Sequence, residues 1–441
     1  MLTKLYKRIG LTISFIALSY LIFHRISPET KSIETPYRNP FVPSINIDWS
    51  EPIEIVWEQL AKEYFAPWTP LSPSISKNFK VTAKMLNLME FAYRGGSFRV
   101  RICVKNKEPA IYYRKLIEWP QTYRNDRMKW VLNLVKEMVM KDGLIDFDLD
   151  FIVYVGDGPK VSIDTQTAEA GFPLFSLRTS RAHVDIPIPD PVAYGSNGEY
   201  VWPEDLQNVP WRVKKPVLLF RGRGSCLKMQ ADNWLACNRI KVAQLAKQCR
   251  KEDMDFGIVE WNQLKSSTPI YSAATAKDIE ESSGVLLEKY MDFEEQSMYR
   301  YILDLDGGLG SSRKPGILSS KSLLVAQESP WFTFFEPLLQ GFVHYVPIER
   351  WLRNLESQLD WIKQNDASAK KIAKNGRLFY DKFLTLSSAK VYFQKVLLEY
   401  RKLQDFDAVD DSPIDVDYCE KSKNAEIEKG PMGCSRGWLK F

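Results

Sequence analysis

The chain has 441 residues, 45% hydrophobic and 26% charged, an ordinary globular balance that excludes a mainly disordered, collagen-like or polytopic membrane protein. A formal net charge of +5 is too small and too evenly spread to argue for a nucleic-acid partner. Six cysteines exclude a disulfide scaffold but leave room for one or two bridges.

From the N-terminus, Ile9 to Phe23 carries no charge, with Lys4, Lys7 and Arg8 before it and His24 and Arg25 after. As a helix it would span about 22 Å, short of a hydrocarbon core of about 30 Å. That length suits a signal-peptide core or a short anchor. No small-residue cleavage site follows Phe23, which favours an uncleaved signal anchor over residues 1–26. The preceding cations put the short N-terminus in the cytosol and the bulk in the lumen. Pro28, Pro36, Pro40 and Pro43 make residues 27–50 an extended stem. The chain contains no N-x-S/T sequon, and Trp438-Leu439-Lys440-Phe441 is not a KDEL-type ending.

A first globular region covers 51–205. Within it, Arg127 to Met140 has helical apolar spacing, and Phe151 to Val155 reads as a buried strand entering Gly156-Asp157-Gly158-Pro159. A Pro- and Gly-rich connection around 187–203 leads to a second region, 206–404. There, strands at Pro216–Phe220, Tyr299–Leu305, Leu323–Ala326 and Val343–Val346 alternate with helical stretches, the first of them Arg239–Cys249. That alternation predicts an α/β fold with a parallel sheet. Three closing helices follow at Glu349–Gln364, Ala367–Phe383 and Ser388–Leu403. Residues 405–441 begin with six Asp in thirteen positions and read as a solvated acidic tail, in which Cys419 and Cys434 lie.

Two Gly-rich, Arg-bearing loops follow predicted strand ends, where open α/β sheets bind ligands. They are Arg221-Gly222-Arg223-Gly224-Ser225 and Gly307-Gly308-Leu309-Gly310-Ser311-Ser312-Arg313. Outward N–H groups, a helix start and a cation make a diphosphate site. Neither loop is a G-x-G-x-x-G fingerprint or a P-loop. Asp157 after its strand suits a general base, or merely caps a turn. Asp304-Leu305-Asp306 has the spacing of a divalent-metal pair, or simply turns the chain. The three histidines lie in no G-x-S-x-G context, and His344, between Val343 and Tyr345, reads as a core residue. The residues alone thus give a two-domain α/β protein that binds a phosphorylated ligand.

Tyr301 to Ile348 resembles the signature stretch of CAP10-type glycosyltransferases, glycosyltransferase family 90, which includes the Rumi protein O-glucosyltransferases and fungal capsule xylosyltransferases. Asp306-Gly307, Arg313, Ser322 and His344-Tyr345-Val346-Pro347 carry the likeness, with Lys215 to Gly222, Phe151 to Pro159, Phe175-Ser176 and Asp185-Ile186 upstream. It runs from about Met89 to Leu403. The resemblance implies a GT-B-like fold, two Rossmann-like domains facing across a cleft. It implies inverting transfer of glucose or xylose from a UDP-sugar to a hydroxyl of a protein or glycan acceptor, with no cofactor and no metal. Asp157 matches the catalytic base. Gly308, Leu309, Gly310, Ser311, Ser312 and Arg313 match the donor diphosphate loop, and Arg239 matches a donor-binding Arg. The family's R-G-S is replaced here by Arg221 to Ser225, leaving Arg223 or Ser225 in the Ser role. Roughly a dozen extra residues precede Arg239, and Ala326 stands where the family has Lys. The anchor implies a single-pass type II protein of the Golgi or endoplasmic reticulum membrane, with the catalytic part luminal. A metal-dependent transferase using Asp304 and Asp306, or a non-catalytic luminal protein binding glycans or proteins, are the alternatives.

Overall fold

The computed structural model describes residues 48, 50–68, 79–92, 96–104, 109–115, 122–162, 172–194, 209–226, 236–248, 252–261, 274–407 and 439–440. The expected anchor, the stem except residues 48 and 50, Cys249, Cys419, Cys434 and the acidic tail from 408 to 438 lie outside the described residues. Among the described residues no helix is long and apolar enough to cross a membrane.

The fold is mixed α/β, and its first half is organised by strands β1 (Ser97–Cys103), β2 (Ala110–Lys115) and β3 (Leu149–Tyr154). Every residue of β1 and of β3 is buried, as the near-continuous apolar run of β3 predicts for a strand covered on both faces. Two charges inside β1 need an answer. The antiparallel register sets Arg101 opposite Asp150. Asp150 then accepts from Arg99 Nε at 2.5 Å and from Arg101 Nε at 2.9 Å. Short strands β4 (Phe175–Ser176), β5 (Thr179–Ser180) and β6 (Ile186–Pro187) follow; β4 adds to β3 and β6 to β4, both in parallel. Helix α3 (Thr122–Met140), which begins five residues before the periodicity predicts, buries Val131, Leu132, Val135 and Met138 in this half's core. Among the described residues the α-helices α1 (Ile53–Phe65) and α2 (Ala83–Ala92) precede it.

The second half is an all-parallel sheet of β7 (Lys215–Arg223), β8 (Met254–Glu260), β9 (Tyr299–Asp304), β10 (Leu323–Gln327) and β12 (Val346–Ile348), in the order β12-β10-β9-β7-β8. Helices α4 (Asn238–Gln248), α5 (Ala274–Ser283), α6 (Phe293–Ser297) and α7 (Lys314–Ser319) supply the crossovers that parallel pairing requires. The strand expected at Val343–Val346 starts three residues later. The preceding segment is a turn in which Gln340 N donates to His344 Nδ1 at 3.0 Å. His344 is fully buried against Phe379, and burial pushes its imidazole down to about 4, so it is a core residue.

Among the described residues several contacts join the halves. The antiparallel pair of β5 with β11 (Trp331–Phe332) takes one strand from each. The closing helices α8 (Leu355–Gln364) and α9 (Asp366–Phe379) run into a π-helical turn at Tyr380–Leu384. Helix α10 (Leu386–Leu403) then returns to the first core. Its Tyr392 and Ser388 meet Trp57 of α1, by an edge-on ring contact at 5.0 Å and a hydrogen bond from the indole N–H at 3.0 Å. Tyr400 donates to the Asp150 carbonyl at 3.0 Å. Finally β13 (Leu439–Lys440) pairs with β2 at the sheet edge.

Candidate active site

Asp157 lies in the bend that follows β3. Arg127, on the face of α3 turned to that bend, donates from Nη1 to Asp157 Oδ1 at 2.9 Å and to the Val155 carbonyl at 2.9 Å. The carboxylate is nevertheless 54% exposed. Close packing opposes its charge, but the guanidinium groups of Arg127, Arg178 and Arg124 outweigh that and hold its carboxyl below the usual range. It is therefore ionised at neutral pH and accessible, the state in which a carboxylate accepts a proton.

The opposite wall is the segment between β9 and α7. Gly310 has φ +93°, a left-handed conformation that a side chain resists, and an added Cβ would press on Arg178 and Trp331 at 3.3 Å. With that bend, the loop turns Leu309 toward Gly158, where an added Cβ would sit 2.6 Å from the Leu309 side chain. The two loops predicted separately, one after β3 and one after β9, therefore touch. Arg178 seals the contact. Its Nη1 donates to the carbonyls of Asp157 at 3.2 Å and Leu309 at 3.1 Å, and its Nη2 bonds Asp190 Oδ2 at 3.1 Å and Ser312 Oγ. Ser312 in turn donates to Asp190 Oδ2 at 2.7 Å.

The remaining predicted donor residues gather on the same side. Arg239, the second residue of α4, donates to the carbonyls of Asp306 and Leu305 (both 2.9 Å) and Arg223 (3.0 Å), and to Ser225 Oγ at 3.2 Å. It thereby clips the end of β7 to the start of the 307–313 loop. A Cys226–Cys237 disulfide ties the residue after Ser225 to the segment just before Arg239. Arg313 is buried, its Nη2 donating to Gln296 Oε1 at 2.8 Å, and its guanidinium, like that of Arg239, lies 5.8 Å from the centre of the Phe220 ring. Gly308 has open space around it, whereas Ser311 is occupied, donating to Asp304 Oδ1 at 2.5 Å.

Asp304 and Asp306 differ in their tasks. Asp304 is 2% exposed and its second oxygen lies 3.7 Å from Lys314 Nζ, which also meets Glu336 at 2.7 Å. Burial pushes Asp306 up to about 6 although Lys314 pulls the other way. Among the described residues no group of three or more His, Cys, Asp or Glu is placed to hold a metal ion.

Sequence reasoning missed Arg127, Arg178 and Asp190. Arg127 lay inside a stretch read only for helical spacing. Arg178 follows Phe175-Ser176 by two residues, and nothing local distinguishes it.

A family model, Glycosyl transferase family 90, matches residues 78–428 of this chain. Among curated proteins the chain is similar to Protein O-glucosyltransferase 3 of Homo sapiens, 26% identical over 265 residues, 58% of this chain and 47% of that protein. It is similar to Protein O-glucosyltransferase 1 of Homo sapiens at 25% over 272 residues, 58% of this chain and 62% of that one. Uncharacterized protein 179R of Invertebrate iridescent virus 6 matches at 26% over 221 residues, 45% of this chain and 18% of the viral one. The chain thus spans about half the length of the first two relatives. Among solved structures TarM matches with a TM-score of 0.29 and 19% identity, over 45% of this chain and 37% of that one, too slight a likeness to bear on the fold.

Proposed function

Because the chain belongs to glycosyl transferase family 90, we propose that it transfers glucose or xylose from a UDP-sugar to a hydroxyl of a protein acceptor, with inversion. The observation that carries this reading is the contact of the Asp157 bend with the 307–313 loop, Leu309 seated on Gly158 and Arg178 bonded to both. A base and a diphosphate site must flank one cleft for a single displacement to occur. The two halves are then read as the two domains of a GT-B arrangement.

In this mechanism Asp157 takes the proton of the acceptor hydroxyl as its oxygen attacks the anomeric carbon from the face opposite UDP. Arg239, Arg313 and the main-chain N–H groups of 308–312 stabilise the charge that builds on the departing diphosphate, where preorganised donors count most. These groups supply that positive charge without a metal, so activity should persist in excess EDTA. Ser225 and Arg223, clipped by Arg239, border the same site. Relatives named protein O-glucosyltransferases favour a protein acceptor. The Cys226–Cys237 bridge fits an oxidising compartment, in line with the type II luminal placement read from residues 1–26.

A donor panel read out as free UDP tests the proposal. Release from UDP-glucose or UDP-xylose, enhanced by a protein acceptor, is the expected result. Silence with every UDP-sugar, together with retained glycan binding, would favour a non-catalytic role.

A further inference from the structure

We propose that Arg178 is the positioning residue that makes the placement of Asp157 depend on the 307–313 loop across the cleft, an inference that rests on the transfer reading above. Asp157 is fixed at two points. Arg127 grips its side chain from α3, wholly within the first half. Arg178 grips its main-chain carbonyl, and the same Nη1 also holds the Leu309 carbonyl of the second half. Its other arm closes a ring with Asp190 and Ser312. Only 7% of Arg178 is exposed, and Gly310 approaches its Cδ and Nε so closely that a Cβ would lie 3.3 Å from both. The guanidinium is therefore clamped, and it has one position that satisfies four acceptors from both sides of the cleft.

The consequence is directional. A nucleoside diphosphate resting on the N–H groups of 308–312 restrains Leu309 and Ser312. Arg178 passes that restraint to the main chain of Asp157, so the base is set when the donor is in place. A lysine cannot substitute, because a single ammonium cannot span acceptors on opposite walls as a planar fork does. Arg178 also adds positive charge beside Asp157, together with Arg127 and Arg124 from α3, while the loop contributes the uncharged Leu309 at this point.

The test uses the full chain, Arg178→Gln, Arg178→Lys and Asp190→Asn, the last keeping Arg178 and loosening one arm. Hydrogen–deuterium exchange without ligand is the first readout. Both 156–161 and 307–313 should exchange about tenfold faster in Arg178→Gln, with a smaller change of the same sign in Asp190→Asn. Unchanged exchange in either segment overturns the proposal, whatever the chain catalyses. Kinetics are the second readout. Turnover should fall about 10- to 100-fold while the donor KM moves less than about threefold, the signature of a misplaced base. Losing the Arg178 charge should also move the acid limb of the activity profile upward, and Arg178→Lys should restore that limb without restoring turnover. The limb follows the charge of Arg178, so a limb restored in Arg178→Lys with turnover still low separates positioning from charge, and turnover restored with it would overturn the positioning role. A wild-type chain inert toward all UDP-sugars would remove the transfer reading and leave the exchange result to decide the coupling.

Discussion

In the first half of the molecule each buried guanidinium meets a carboxylate: Arg99 and Arg101 share Asp150, Arg178 meets Asp190, and Arg127 meets Asp157. At the carboxyl ends of the parallel strands Arg223 also meets a carboxylate, Glu260, while neutral acceptors take a larger part in holding its neighbours. Arg239 is fixed by carbonyls and a hydroxyl, and Arg313 by an amide oxygen beside the Phe220 ring. Neutral acceptors orient a guanidinium without cancelling its charge, as a site for an anionic leaving group requires. Paired carboxylates cancel charge and lock geometry. On the proposed reading, the first wall positions a base and the second receives a diphosphate.

The sharpest way to break this division is Asp157→Asn. Turnover should drop about 10²–10⁴-fold, while UDP affinity by calorimetry stays within a few-fold. A parallel loss of affinity would mean that the base wall also binds donor. Next in size is Asp150→Ala, which strips the carboxylate from two buried arginines of the first half. Urea unfolding should show a loss of about 3–5 kcal/mol, with UDP affinity little changed in the protein that remains folded. Arg239→Ala addresses the other wall and should cost about 1.5–3 kcal/mol of UDP binding, since it removes hydrogen bonds from a charged group as well as the clip on Ser225.

The smallest effect concerns Asp185, whose oxygens accept from the N–H groups of Lys160 and Val161 at 2.8 and 2.7 Å. Burial raises it to about 6 from an ordinary 3.8, despite those hydrogen bonds. A raised carboxyl favours the folded state fully below its unfolded value and loses that contribution as pH rises through about 6. Stability should therefore gain on the order of 1–2 kcal/mol from this group between pH 7 and pH 5. Thermal unfolding across that range checks it, and Asp185→Asn should flatten the slope. Asp157 behaves oppositely. Its lowered carboxyl stays ionised down through the usual carboxylate range, so an acid limb of activity near pH 6 would have to come from another group.

Much of the second half was legible in the residues. Buried parallel strands appear as unbroken apolar runs, and β7 and β9 were visible for that reason, with their glycine-bearing loops directly after. Asp157 was visible by the same logic at the end of β3. What escaped was every partnership across chain distance. Arg178 lies 131 residues from Leu309 and Ser312 lies 122 from Asp190, and no periodicity encodes such pairs. Helix α10 was recognisable from its amphipathic spacing, yet that spacing is silent on which core receives it. The Cys226–Cys237 pairing was equally hidden, because six cysteines admit many combinations.

That bridge has a consequence for how the chain matures. It ties the strand end bearing Ser225 to the helix start bearing Arg239, so the spacing of these two residues is set by a covalent bond as well as by hydrogen bonds. Protein synthesised where thiols stay reduced would emerge without that tie. Recombinant material from such a host should need oxidative refolding before its nucleotide affinity reaches the native level.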